Sequence, residues 1–282
     1  MRHFLNYILP FYYIVHVNCY SQELSILINN SPRTFSITIP STYSSSNKIP
    51  LVIVLHDSNN DIDNIGTYTG FDDKAKKEDF IAVYPRATKN ENNYYIWNAG
   101  NIYSDWTHQV NDIVFIDSLI KYMKSSYNID SKKIYVAGYS NGAMMAYRIA
   151  AELSDKITAV ACVAGPMVDT IAKPNCPVAV LHIHGDEDLV VPHTGTQQYG
   201  FQMAAIDEVL KKWLTWDSCS TVPTVLKYDP MVTALRWKGK ADVRLYLLHG
   251  FGHDWPSKQR GGWPATDIIW DFFKSEKKDT VH

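Results

Sequence analysis

Short runs of uninterrupted apolar character recur along this chain at Leu51 to Leu55, Phe80 to Tyr84, Lys133 to Ala137, Ile157 to Val163, Pro177 to Ile183 and Val243 to Leu248. A run without polar alternation predicts a strand covered on both faces, the condition of strands inside a parallel sheet. Between the runs, apolar spacing near the helical period predicts helices over Asp112 to Tyr127, Gly142 to Leu153, Gln202 to Trp216 and Thr266 to Phe273. Strands and helices alternate, so right-handed crossovers should build an α/β fold, a mostly parallel central sheet with helices on both faces. An alternating strand over Phe35 to Ile39 and a serine-rich connection, Ser41 to Asn47, precede the first core run. Ala87 to Gln109 breaks the regularity. It is rich in Asn and Tyr, lacks a period, and is long enough to carry function rather than merely connect. With 282 residues, 46% of them hydrophobic, no internal repeat and no long linker, the chain is expected to form one domain over residues 20–282.

The first residues carry Arg2 and His3, then an apolar stretch from Phe4 to Val17, and finish at the small residue Cys19. That layout predicts a signal peptide over residues 1–19 and a secreted, extracellular protein. The stretch is shorter than the roughly 20 residues a membrane helix needs, so no stable membrane insertion is expected. A formal net charge of −2 and the lack of dense Lys or Arg runs leave no basic field for nucleic acid. After cleavage, Cys162, Cys176 and Cys219 remain, which allows at most one internal disulfide. Cys162 sits in an apolar run and is expected to be a buried thiol, which leaves Cys176 with Cys219 as the expected pair. Asn29-Asn30-Ser31 is a glycosylation sequon that suits a secreted surface.

The strongest local chemical signal is Gly138-Tyr139-Ser140-Asn141-Gly142, placed between a predicted buried strand and a predicted helix. A sharp strand-to-helix turn lifts the serine oxygen above a sheet, and small residues on either side avoid collisions in the bend. The helix beginning there adds the positive end of its dipole, and the Asn141 N–H is free to meet a developing oxyanion. A serine hydroxyl needs a base, and the base needs an orienting acid. His253, in the flexible segment Gly250 to Pro256 after a strand, is the candidate base, while His249 competes but terminates the strand itself. For the acid, Asp186, Glu187 and Asp188 all follow the strand ending at Ile183, and position alone does not choose among them. His182-x-His184-x-Asp186 has the look of a zinc run, but it lacks a third histidine nearby and would leave the serine turn unexplained, so no metal and no cofactor are expected.

These segments together resemble the polyhydroxybutyrate depolymerase and feruloyl esterase group, the carbohydrate esterase family 1 type of α/β-hydrolase. The resemblance rests on PLVIVLHD, FIAVYPRA, WNAG, VNDIVFIDSLI, IYVAGYSNGAMMAYRIA, LHIHGDEDLVVP and GHDWP, in the family's order. It implies an α/β-hydrolase fold and a triad of Ser140, Asp188 and His253, with Asp188 matching the aspartate of the family's H-G-x-x-D-x-x-V-P segment. It also implies an oxyanion hole from the backbone N–H groups of Asn141 and Ser58. The chain departs from the pattern in three places. His56-Asp57 stands where the family usually has His-Gly, Ala143 replaces a second glycine, and Trp237 to Lys240 lacks the cysteine that would be the family partner of Cys219.

Trp97, Trp255, His56 and Tyr139 are expected to contact substrate, with Tyr94, Tyr95, Tyr103, Trp106 and Trp263 as further aromatic candidates. Flat aromatic faces suit a cinnamoyl ring or a sugar face. The expected partner is an ester substrate on plant polysaccharide or polyester, met by a monomer. The competing expectations are a hydrolase-like binding protein that has lost activity and a serine peptidase on the same fold.

Overall fold

A computed structural model of the protein describes residues 23–59, 63–100, 107, 110–168, 173–198 and 201–278. The expected signal peptide, Tyr103 and Trp106 lie outside the described residues.

The chain opens with a hairpin of β1 (Leu24–Ile28) and β2 (Ser31–Thr38), followed by β3 (Ile49–Leu55), α1 (Ile65–Thr69), α2 (Phe71–Glu78) and β4 (Ile81–Pro85). A two-stranded ribbon of β5 (Thr88–Lys89) and β6 (Tyr95–Ile96) lies in the irregular stretch, and then come α3 (Asp112–Ser126), β7 (Ile129–Tyr139), α4 (Asn141–Glu152), β8 (Ala159–Val163) and β9 (Ala179–Gly185). A second ribbon, β10 (Thr196–Gln198) with β11 (Phe201–Met203), precedes α5 (Ile206–Trp216), β12 (Thr224–Asp229), β13 (Val232–Trp237), β14 (Val243–Leu248) and α6 (Ala265–Ser275).

Ten strands join one sheet in the order β1-β2-β4-β3-β7-β8-β9-β14-β13-β12. Its centre, β4-β3-β7-β8-β9-β14, is parallel, while β2 against β4 and β13 against β14 are antiparallel, so a hairpin closes each edge. Each central run splits its side chains between two cores by the period of two. In β3, Leu51, Ile53 and Leu55 join the core under α3, α4 and α5, and Val52 and Val54 join the core under α2 and α6. That division accounts for the absence of polar alternation in the sequence, and it is the expected α/β arrangement.

Two differences from expectation concern the flanks. The helix expected from Gln202 begins at Ile206, because Phe201–Met203 pairs with Thr196–Gln198 instead. The antiparallel strands β1, β12 and β13 were not anticipated; β12 is almost wholly exposed and so carries no apolar signature. Asn29 and Asn30 form the two-residue β1–β2 turn with φ of 50° and 64°, a conformation Asn tolerates better than most residues, so the sequon lies on an exposed hairpin tip.

The expected Cys176 to Cys219 pair is not formed; Cys162, Cys176 and Cys219 are all free thiols. Cys219 Sγ instead donates to the carbonyl of Ala241 at 3.4 Å. No helix among the described residues is long and apolar enough to cross a membrane.

Candidate active site

Sheet register brings the site together in two pairs of loops. Leu55 pairs with Gly138 across β3 and β7, so the loop starting at His56 and the turn at Ser140 leave the sheet side by side, where strand order reverses about β3. Gly185 pairs with Leu248 across β9 and β14, so the segment holding Asp188 and the one holding His253 also emerge together.

The turn itself is strained. Ser140 has φ 53° and ψ −118°, a backbone conformation that side chains rarely adopt, and it is held by its N–H donating to the Val163 carbonyl at 2.8 Å. The flanking glycines are required by contact: a Cβ on Gly138 would overlap the carbonyl of Gly142, and one on Gly142 would overlap the carbonyls of Leu55 and His56. Ala143, where the family pattern has a further glycine, is fully buried inside α4 and fits there.

Above this turn, His253 Nε2 lies 3.0 Å from Ser140 Oγ and His253 Nδ1 lies 2.7 Å from Asp188 Oδ2. Asp188 is buried, whereas Glu187 is exposed and Asp186 is engaged elsewhere. Burial alone would raise the Asp188 carboxyl, but hydrogen bonds from His184, His253 and the Val191 N–H outweigh it and hold the group far below the usual carboxylate range. Its Oδ1 accepts the N–H groups of Val190 at 2.9 Å and Val191 at 2.8 Å, which leaves Oδ2 for the imidazole. His249, the competing base, donates or accepts within a separate cluster: Nδ1 to Asp186 Oδ2 at 2.8 Å and Nε2 to Thr233 Oγ1 at 3.0 Å. It therefore braces the two loops and does not face the serine.

The Asn141 N–H is in the first turn of α4, where helical amides have no intrahelical acceptor, and Ser58 is exposed in the facing loop. His56 is a pin for that loop. The Ala87 N–H donates to its Nε2 at 3.1 Å, so Nδ1 carries the hydrogen and donates to the Asp57 carbonyl at 2.6 Å. Burial pushes its pKa down to about 4 and keeps the ring neutral. Asp57 is half-buried, and burial lifts its carboxyl above the ordinary value, an effect partly opposed by its own N–H, by His253 and by Asn59.

The expected aromatic walls are placed differently. Trp97 and Trp255 are both fully buried, with Trp97 Nε1 donating to the His56 carbonyl at 3.1 Å and Trp255 Nε1 to Thr266 Oγ1 at 3.1 Å. Each ring does more as core than as cleft lining, because its large apolar area is hidden while its one polar atom is satisfied. His56 is likewise buried, so its part is to shape the loop. Tyr139 does face the site: its hydroxyl donates to the His253 carbonyl at 3.2 Å and its ring centre lies 5.4 Å from the imidazole. With Asp57, Asn59, Ile65, Tyr68 and His56 it lines a cavity of about 200 Å³ beside the turn. Tyr68, whose hydroxyl donates to Asp254, was missed because α1 leaves no readable period in the sequence. Tyr94 is exposed, Tyr95 is half-buried with its ring 6.2 Å from His56, and Trp263 packs under Lys227.

The sheet order and the serine turn define an α/β-hydrolase. Residues 34–172 match the family model described as esterase PHB depolymerase. The bifunctional acetylxylan esterase/xylanase XynS20E of Neocallimastix patriciarum is 30% identical over 268 residues, which are 91% of this chain and 34% of that protein. This chain thus spans about a third of that relative. The probable feruloyl esterase C of Aspergillus niger is 24% identical over 253 residues, 86% of this chain and 83% of that one. The solved acetyl xylan esterase from Aspergillus awamori superposes with a TM-score of 0.62 at 16% identity, covering 86% of this chain and 94% of that one, and speaks to fold alone. The chain is thus similar over just under half its length to the esterase PHB depolymerase model, and over most of its length to an acetylxylan esterase and to feruloyl esterases.

Proposed function

We propose that the protein is a secreted serine esterase that cleaves feruloyl or acetyl esters of plant polysaccharide, or polyhydroxyalkanoate-type esters, through an acyl-enzyme. The observation that carries this reading is the continuous line from Ser140 Oγ through His253 to Asp188, with both contacts at hydrogen-bond length. His253 takes the Ser140 proton as Oγ attacks the ester carbonyl, and the backbone N–H groups of Asn141 and Ser58 receive the oxyanion. Collapse of the tetrahedral intermediate expels the alcohol, which takes the proton from His253. Water then attacks the acyl-enzyme, again giving its proton to His253, and the acid leaves as Ser140 recovers its hydrogen. The cavity lined by Tyr68 and by Tyr139, one residue along the chain from Ser140, is the acyl site in this reading, and it favours an acyl group with a flat face and a hydrogen-bonding end.

Ser140→Ala is expected to abolish turnover of p-nitrophenyl acetate and methyl ferulate and to prevent labelling by a fluorophosphonate. Full activity in that variant refutes the mechanism, and an unlabelled wild-type protein favours a binding role in which the Asp57-bearing loop has closed off the chemistry. Comparing hydrolysis of feruloyl, acetyl and hydroxyalkanoate esters assigns the acyl group.

A further inference from the structure

The His182-x-His184 pair is used by none of the steps above, yet both rings are buried directly behind the acid. His184 Nε2 lies 2.7 Å from the carbonyl of Val191 and 3.3 Å from Asp188 Oδ2. A carbonyl only accepts, so Nε2 carries the hydrogen. Val191 is the residue whose N–H holds Asp188 Oδ1, so His184 grips the far side of the same peptide segment that aims the carboxylate.

On its other edge, His184 Nδ1 is 2.9 Å from His182 Nε2, and His182 Nδ1 is 2.9 Å from the Tyr147 hydroxyl. If His184 is neutral, its Nδ1 is bare and takes the His182 Nε2–H. His182 Nδ1 is then bare in turn and takes the Tyr147 O–H. Every hydrogen in this buried line points toward the acid, and each ring nitrogen is satisfied by a protein partner. Burial, followed by the neighbouring His184, drives the His182 pKa far down, in keeping with a neutral ring.

We propose that His184 is a positioning residue for Asp188, fixed in its neutral Nε2–H form by a one-way hydrogen-bond line from Tyr147 through His182. The motif that resembles a zinc run therefore serves to orient the acid. This inference rests on the triad reading, but its first test does not depend on activity. Long-range ¹⁵N spectra of histidine-labelled wild-type protein should show both His182 and His184 with a protonated Nε2 and an unprotonated Nδ1. An Nδ1–H tautomer or an imidazolium at either position overturns the proposal. Tautomers as stated in a protein that no fluorophosphonate labels would sink the esterase reading and leave the line standing.

The second test uses rescue. His184→Leu keeps bulk and removes the donor, and it is expected to lower kcat about 10- to 100-fold with KM within about twofold. His184→Gln, which returns an N–H near the Nε2 position, is expected to recover to within about fivefold of wild type. A glutamine variant as impaired as the leucine one, or a leucine variant with unchanged kcat, overturns the positioning role. If neither variant folds, the spectra of the wild-type protein decide.

Discussion

The side-chain amide of Asn141 closes a two-point pairing with the main chain of Trp97: Oδ1 accepts the N–H at 2.7 Å and Nδ2 donates to the carbonyl at 3.2 Å. Asn141 follows Ser140 directly, so the pairing ties the serine turn to the WNAG segment and, through the Trp97 indole, to the carbonyl of His56 in the facing loop. Three segments around Ser140 are thus joined by two buried side chains, those of Asn141 and Trp97.

Asn141→Ala leaves the buried Trp97 N–H without its partner, while the Trp97 carbonyl keeps the Ala99 N–H at 2.9 Å, and is expected to cost about 1–3 kcal/mol. Urea unfolding measures it as a lower midpoint at unchanged slope, and kcat should fall more than KM rises. A variant of wild-type stability would show that water readily takes over the Trp97 contacts.

The central sheet was legible because strands covered on both faces must be apolar throughout, and β3, β4, β8 and β9 are buried at nearly every position. α2 was illegible for the opposite reason, since FDDKAKKE buries only Phe71 and Ala75. At the site, the serine turn could be read because its backbone demands small flanking residues, and the placing of His253 in a loop after a strand could be read from the apolar run that precedes it. Choosing among Asp186, Glu187 and Asp188 needed the resemblance to the family or the structure, as burial separates them and spacing does not. The places of Trp97 and Trp255 were misjudged because an indole beside a reactive segment looks alike in sequence whether it lines a cleft or fills the core beneath it. The pairing of Asn141 with Trp97 joins residues 44 apart in sequence and has no local signature at all.

A second buried anchor supports the same segment from behind. Arg33 Nη2 donates to Asp112 Oδ1 at 2.6 Å, Asp112 Oδ2 accepts the Asn98 N–H at 2.8 Å, and both charged side chains are almost wholly hidden, at 9% and 0% exposure. Arg33→Met would strand the carboxylate in the core, and is expected to cost about 3–5 kcal/mol. Adding Asp112→Asn removes the stranded charge while keeping an acceptor for Asn98, so the double variant should recover much of the loss. Thermal unfolding of the two single variants and the double variant forms the cycle. Strict additivity of the two losses would show that Arg33 acts through its packing on Phe115, where its guanidinium lies 4.1 Å from the ring centre, and not through the charge.

Asp217 carries the opposite electrostatic problem. It is fully buried at the end of α5, and neither carboxylate oxygen makes a well-formed hydrogen bond among the described residues. Burial pushes its pKa up to about 7, opposed in part by the Val178 N–H and by Lys173, Lys240 and Lys278. The folded value lies above the ordinary aspartate value of about 3.9, so between these limits the folded protein holds a proton that the unfolded chain has released. Stability must then fall as pH rises from about 4 through 7, with the penalty complete above the folded value, and the total is on the order of a few kcal/mol. Asp217→Asn keeps the shape and cannot ionise. Its stability relative to wild type is expected to increase between pH 5 and pH 8, as followed by urea unfolding at each pH. Taking the difference between the two proteins cancels every other titrating group, so a difference that stays constant over that range would mean the carboxylate is already ionised at pH 5 and that its partners outweigh its burial.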